Sequence, residues 1–203
     1  PIRPDDVAPE VSIVHFHYAY PEAATWNLPL GKVLGYDESG FAGRDDAIYR
    51  RQAWNFLLSG GGLFNSLDYS FTVGHEDGND LANKAPGGGS PTLRRQLNVL
   101  SRFLHSFDLA RLRPAPDLVA ASPGAVTRVL GAPGQAYALY LEGRAPVELL
   151  LRLPAGRWQA EWINPESGAV LERRQVRADG TPVPVPSPSF AESVALALRR
   201  ATD

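Results

Sequence analysis

The sequence contains no cysteine and no methionine. Without cysteine there is no disulfide framework, no thiolate nucleophile and no cysteine-ligated metal. An apolar run of about 18 residues or more is also missing, so no segment reads as a membrane-spanning helix. Basic blocks are absent: 20 Lys and Arg face 22 Asp and Glu, giving a formal net charge of −2. Nothing advertises a phosphate-neutralising surface, and nucleic acid is not an expected partner. The chain opens on P-I-R-P-D-D, with neither an initiator methionine nor a secretory signal. It therefore reads as starting inside a longer gene product, with any export signal upstream.

What is present suffices for a packed core: 203 residues, 44% of them hydrophobic, enough for one large domain or two modest ones. Two strand-like segments stand at the front, V-S-I-V-H-F-H-Y-A-Y-P (Val11 to Pro21) and L-G-K-V-L-G-Y-D-E-S-G-F (Leu30 to Phe41). Each is an apolar run ending in polar, protonatable side chains, the way a parallel barrel strand delivers chemistry to its carboxyl end. Glu38 is the first candidate for a catalytic carboxylate. Next, Tyr49, Ala53, Phe56 and Leu57 recur at helical spacing, with Asp45 or Asp46 available as N-cap and Gly60 as a stop. The aromatic-rich stretch G-L-F-N-S-L-D-Y-S-F-T-V-G predicts a third strand, followed by a polar loop. A second helix is predicted from Ser90-Pro91, with Leu93, Leu97, Leu100, Leu104 and Phe107 as its apolar stripe.

The order strand, strand, helix, strand, helix is the rhythm of an α/β barrel or a doubly wound sheet. Near Arg113 the pattern changes. Prolines and A-A-S-P-G suggest a linker, and from about Val126 apolar residues alternate with polar ones. Tyr137, Leu139 and Leu141 share a face, as do Val147, Leu149, Leu151 and Leu153, then Trp158, Ala160 and Trp162, then Val194, Leu196 and Leu198. Turn signals between them space a small antiparallel β-sandwich, with P-V-P-V-P-S-P-S as a proline-rich edge. Three parallel strands and two helices cannot close a barrel, so the barrel portion is expected to be incomplete.

His15-Phe16-His17-Tyr18, Y-D-E-S-G-F, the helix R-R-Q-A-W-N-F-L-L-S-G-G-G and L-D-Y-S-F-T together resemble the last three strands of a clan-A glycoside hydrolase barrel. The segments A-Y-A-L-Y-L-E-G, L-P-A-G-R-W-Q-A-E-W-I-N-P-E-S-G and S-V-A-L-A-L-R-R are similar to the collagen-binding-like β-sandwich behind apiosidase-like hydrolases. The resemblance implies α/β plus all-β architecture: residues 1–112 as strands 6–8 of a (β/α)8 barrel, and residues 113–203 as a β-sandwich accessory domain. It implies a retaining glycosidase acting on an oligo- or polysaccharide, extracytoplasmic or secreted, with no cofactor. Its acid/base glutamate would lie on strand four, outside this sequence, with the rest of the barrel coming from upstream.

By the same resemblance Glu38, closing strand seven, is the nucleophile, since an ionised carboxylate forms a glycosyl ester that water later cleaves. His17 and Tyr18 close strand six and line the subsite floor, while His15, two residues earlier on the same face, reads as a structural hydrogen-bonder beneath it. Asp37 is a supporting hydrogen-bonder or an exposed residue. Trp26, in the loop after strand six, is either a sugar-stacking platform or a packing anchor. Asn65, Asp68 and Tyr69 fall on strand eight and its approach. In V-G-H-E-D-G-N-D, His75, Glu76, Asp77 and Asp80 offer oxygen and nitrogen ligands but lack EF-hand or zinc spacing, so His75 and Glu76 read as part of a polar active-site loop. P-G-G-G-S lacks the G-K-[ST] of a phosphate cradle, and there is no G-x-S-x-G elbow. The alternative function is a non-catalytic carbohydrate- or matrix-binding protein in which the sandwich does the binding; a sandwich that only buttresses the barrel is a third reading.

Overall fold

The computed structural model describes residues 1–39 and 41–201. They form two compact units, Pro1–Asn98 and Val99–Asp203. The first contains, in order, β1 (Ile13–His17), α1 (Ala23–Asn27), β2 (Val33–Glu38), α2 (Asp46–Leu58), β3 (Leu63–Phe64) and most of α3 (Pro91–His105), whose final turns belong to the second. The three strands pair in parallel in the order β1-β2-β3. Central β2 buries Leu34, Gly35 and Tyr36 in succession, as a parallel strand covered on both faces must. Edge strand β1 instead alternates, with Val14 and Phe16 half-buried and Ile13, His15 and His17 exposed. Ala24, Leu34, Tyr36 and Phe56 form the core beneath the sheet, and the Tyr36 ring meets Phe56 and Phe64 at 5.3 and 5.5 Å.

Both predicted helices form with the predicted caps. The Asp45 carboxylate accepts the Ala47 N–H to start α2, and the Ser90 hydroxyl accepts the Leu93 N–H at 2.9 Å to start α3. Helix α2 is buried on more than its expected stripe: Trp54, Leu58, Arg50 and Asn55 are covered as well. Arg50 satisfies part of its donor set by reaching Gln96 Oε1 of α3 at 3.2 Å.

The predicted third strand is largely absent. Only Leu63 and Phe64 pair with β2, and the chain then turns away because side chains capture its backbone. Asp68 Oδ1 accepts both the Ser70 N–H and hydroxyl, while Tyr69 N–H donates to Gly88 O. Asp68 and Tyr69 therefore lie in a loop after the strand. Trp26, expected in a loop, sits on the short helix α1.

In the second unit the strands are β4 (Arg113–Pro114), β5 (Val119–Ala121), β6 (Ala125–Ala132), β7 (Ala136–Gly143), β8 (Leu150–Leu151), β9 (Gly156–Ile163), β10 (Val170–Ala178), β11 (Val183–Pro184) and β12 (Ser193–Arg200). They make two antiparallel sheets, ordered β10-β9-β12-β7-β6-β4 and β11-β8-β5. Both contribute to one core, which contains every residue of the four alternating groups read from the sequence. The proline-rich segment supplies β11, an edge strand where missing N–H groups do least harm. Strand pattern begins at Arg113, whereas contacts divide after Asn98, because Val99 packs within the second unit beside Gly168.

Candidate active site

At the carboxyl end of the parallel sheet the β1–β2 ladder runs in step from Ile13↔Val33 to Phe16↔Tyr36, then shifts so that His17 partners Glu38. Asp37 is the extra residue of a β-bulge. Successive strand residues normally face opposite ways, and a bulge re-aims one of them. Here both carboxylates meet the same imidazole: Asp37 Oδ1 lies 3.0 Å from His17 Nε2, and Glu38 Oε2 lies 2.8 Å from His17 Nδ1. Asp37 Oδ2 also meets His15 Nδ1 at 3.1 Å. Gly35, the register partner of His15, makes room for this: a Cβ at that position would come within 2.6 Å of the His15 ring.

Tyr18 completes the group. Its backbone N–H donates to Glu38 O at 2.9 Å, its φ is +54°, and its phenol donates to Glu38 Oε1. Both Glu38 oxygens are thus engaged, one by Tyr18 and one by His17. The hydrogen bond to Glu38 is the main reason the Tyr18 phenol is pushed up to about 12, with desolvation and the charges of Glu38 and Tyr69 adding to it. Tyr18 therefore keeps its proton at neutral pH and presents a donor to the carboxylate. Beneath, the Tyr36 hydroxyl donates to Ala19 O at 2.5 Å and ties the two strand ends together. The Glu38 side chain stays 19% accessible, enough to meet a ligand. A carboxylate fixed at both oxygens, partly open and at a parallel strand's carboxyl end is suited to attack or to electrostatic stabilisation of a cationic centre.

The structure brings Glu38, Asp37, His17 and Tyr18 together as one chain of contacts, and adds His15 to it. Tyr69 reaches the rim through Phe41, whose ring lies 5.5 Å from Tyr18 and 6.2 Å from Tyr69. Phe41 and the partnership of His15 with Asp37 have no signal in the spacing of the sequence. Asn65 follows β3, its N–H bonded to Tyr36 O at 2.8 Å and its side chain exposed beside the end of β2. Asp68 is committed elsewhere, held by Arg94 Nη1 at 2.6 Å and by Ser70. His75 and Glu76 serve their own loop: His75 Nδ1 contacts Asn79 Oδ1 at 2.8 Å, and Glu76 accepts the Gly74 N–H at 3.0 Å. Trp26 is half exposed on α1 and takes no part in the Glu38 contacts found among the described residues.

No protein-family model and no curated protein sequence matches the chain. Solved structures do. A protein described as a glycoside hydrolase aligns at 11% identity over 96% of this chain and 54% of its own, with a TM-score of 0.68. A glycoside hydrolase family 5 protein from Bacteroides vulgatus ATCC 8482 aligns at 11% identity over 96% and 51%, with a TM-score of 0.67. The fold is therefore one shared with glycoside hydrolases. This chain spans about half the length of those two proteins.

Proposed function

We propose that this chain is the carboxyl-terminal part of a retaining glycoside hydrolase and that Glu38 is its nucleophile. The observation that carries the reading is the Glu38 carboxylate, gripped by the Tyr18 hydroxyl and the His17 imidazole at the end of a parallel strand. In this reading Glu38 attacks the anomeric carbon as the bond to the leaving oxygen breaks, and a general acid protonates that oxygen. The resulting glycosyl ester is hydrolysed by water, returning Glu38 to the carboxylate. The acid/base carboxyl is assigned to sequence outside this chain, about 5–5.5 Å from Glu38 in the assembled site. Asp37 and His15 set the orientation of His17, and Tyr18, Phe41 and Tyr69 offer ring faces to a sugar.

The substrate class is an oligo- or polysaccharide, and the location extracytoplasmic. The two antiparallel sheets with their common core support reading residues 113–203 as a β-sandwich accessory domain. The test uses the natural gene product that contains this sequence, with a panel of activated 2-fluoro glycosides. The covalent label is expected on the peptide carrying Glu38, and Glu38→Ala is expected to lower turnover by several orders of magnitude. A label on another carboxylate, or near-normal turnover by the variant, sinks the assignment.

A further inference from the structure

Tyr49 of α2 is buried, yet its hydroxyl is spent on two loops. It donates to Gly43 O at 2.6 Å and accepts the Gly88 N–H at 3.1 Å. Gly43 stands two residues after Phe41. Gly88 follows Gly87, where a Cβ would come within 2.4 Å of Tyr69 Cε2, so the Tyr69 ring packs on bare backbone there. One phenol thus joins the segment that carries Phe41 to the segment against which Tyr69 rests. Gly88 makes room for it, since a Cβ at that position would come within 2.3 Å of Tyr49 Cε2.

Further bonds fasten the same two segments. Arg44 Nη2 donates to Leu81 O at 2.7 Å and Arg44 Nη1 donates to Asn83 O. The Tyr69 N–H donates to Gly88 O at 3.1 Å, and the preceding Asp68 is held by Arg94 Nη1 at 2.6 Å. What this bracing presents is the Phe41 ring, about half exposed, 5.5 Å from Tyr18 and 6.2 Å from Tyr69. Phe41 has no polar atom, so it cannot move a proton or hold an ion. It can offer only an apolar face, and the C–H face of a sugar ring is the complement of such a surface. Tyr18 holds Glu38, which puts Phe41 one ring further from the carboxylate. A face fixed before the ligand arrives avoids the cost of ordering a loop on binding.

We propose that Phe41 is a specificity residue that stacks on a sugar next to the one held at Glu38, and that Tyr49 is the positioning residue that presets Phe41 and Tyr69. The inference rests on the glycosidase reading and narrows its substrate to a chain of at least two sugar residues. The test uses the natural gene product that contains this sequence, in its Glu38→Gln form, so that binding is read without turnover. Affinity electrophoresis in gels of hydroxyethylcellulose, glucomannan, arabinoxylan or galactan should show retardation by at least one of these neutral polymers. In that gel Phe41→Ala should weaken binding about fivefold, and Tyr49→Phe, which keeps the ring and removes the hydroxyl, should weaken it less. No retardation in any gel, or equal retardation with and without the Phe41 ring, would overturn the proposal.

The positioning role has its own readout. The loss caused by Tyr49→Phe should vanish where Phe41 and Tyr69 are already alanine, because Tyr49 then has nothing left to present. A loss that persists there would show that Tyr49 serves the fold alone and would overturn its assignment. With Glu38 restored, Phe41→Ala should raise KM on the polymer far more than it lowers kcat, and far more than it slows labelling by single-sugar 2-fluoro glycosides. Equal effects on polymer and single-sugar reagent would put Phe41 at the reacting sugar and overturn the second position. Should the Glu38→Gln protein still cleave the polymer, the nucleophile assignment fails, while the comparison with and without Phe41 decides this proposal independently.

Discussion

Glu38, His17 and Tyr18 are legible in the sequence because each closes an apolar strand, where the sheet ends and side chains point outward. Their network is not legible. It depends on a one-residue bulge at Asp37 and on the absence of a side chain at Gly35, and both are cross-strand matters. Two phenols carry the electrostatics of this region: Tyr18, raised to about 12 chiefly by Glu38, and Tyr36, raised to about 12 by burial. Both should ionise well above the ordinary phenol value near 10 when phenolate absorbance is followed through alkaline titration. Glu38→Gln should bring Tyr18 back toward its ordinary value near 10 and leave Tyr36 in place. The folded chain holds both protons more tightly than the unfolded chain does. Their contribution to stability is therefore intact below about pH 10 and is lost as pH rises through about 12. Unfolding measured across that window should show the decline, and a Tyr18 that ionises near the ordinary value of 10 would remove the basis for it.

Helices α2 and α3 were readable because caps and apolar spacing agree with the fold at each end. The third strand was not, because its alternating aromatics are outvoted by the Asp68 turn and by the pairing of Asp68 with Arg94. Ser90 joins the two helices: besides capping α3, its hydroxyl donates to Asp46 Oδ2 at 2.5 Å in the first turn of α2. Ser90→Ala removes both bonds and should cost about 1–2 kcal/mol, at the upper end for a lost cap. Urea unfolding monitored by circular dichroism checks this, and Ser90→Thr, which keeps the hydroxyl, should recover most of the loss.

Across the molecule, the antiparallel sheets were the most legible part: the residues of the shared core recur at every second position, on β9, which alternates in burial, and equally on β7 and β12, which are buried at successive positions. What alternation could not show is which residues gather at the sheet's end, where Arg157, Arg177 and Arg200 come from three strands. Trp158 and Trp162 sit fully buried in the second unit's core, and Trp158 also donates its indole N–H to Pro154 O at 3.0 Å. Trp162→Ala should destabilise that unit by about 3–5 kcal/mol, the range for a large side chain lost from a packed interior. Calorimetry would register it, and a shift below about 1 kcal/mol would show that the site is not packed as described.

The left-handed backbone at Tyr18 has an evolutionary cost. A side chain other than glycine pays for that conformation, so replacement by glycine would relieve the backbone. The same replacement would remove the phenol that holds Glu38. Relief of the backbone alone would favour discarding this tyrosine, so its retention among natural variants would be a record of selection on the phenol and its hold on Glu38.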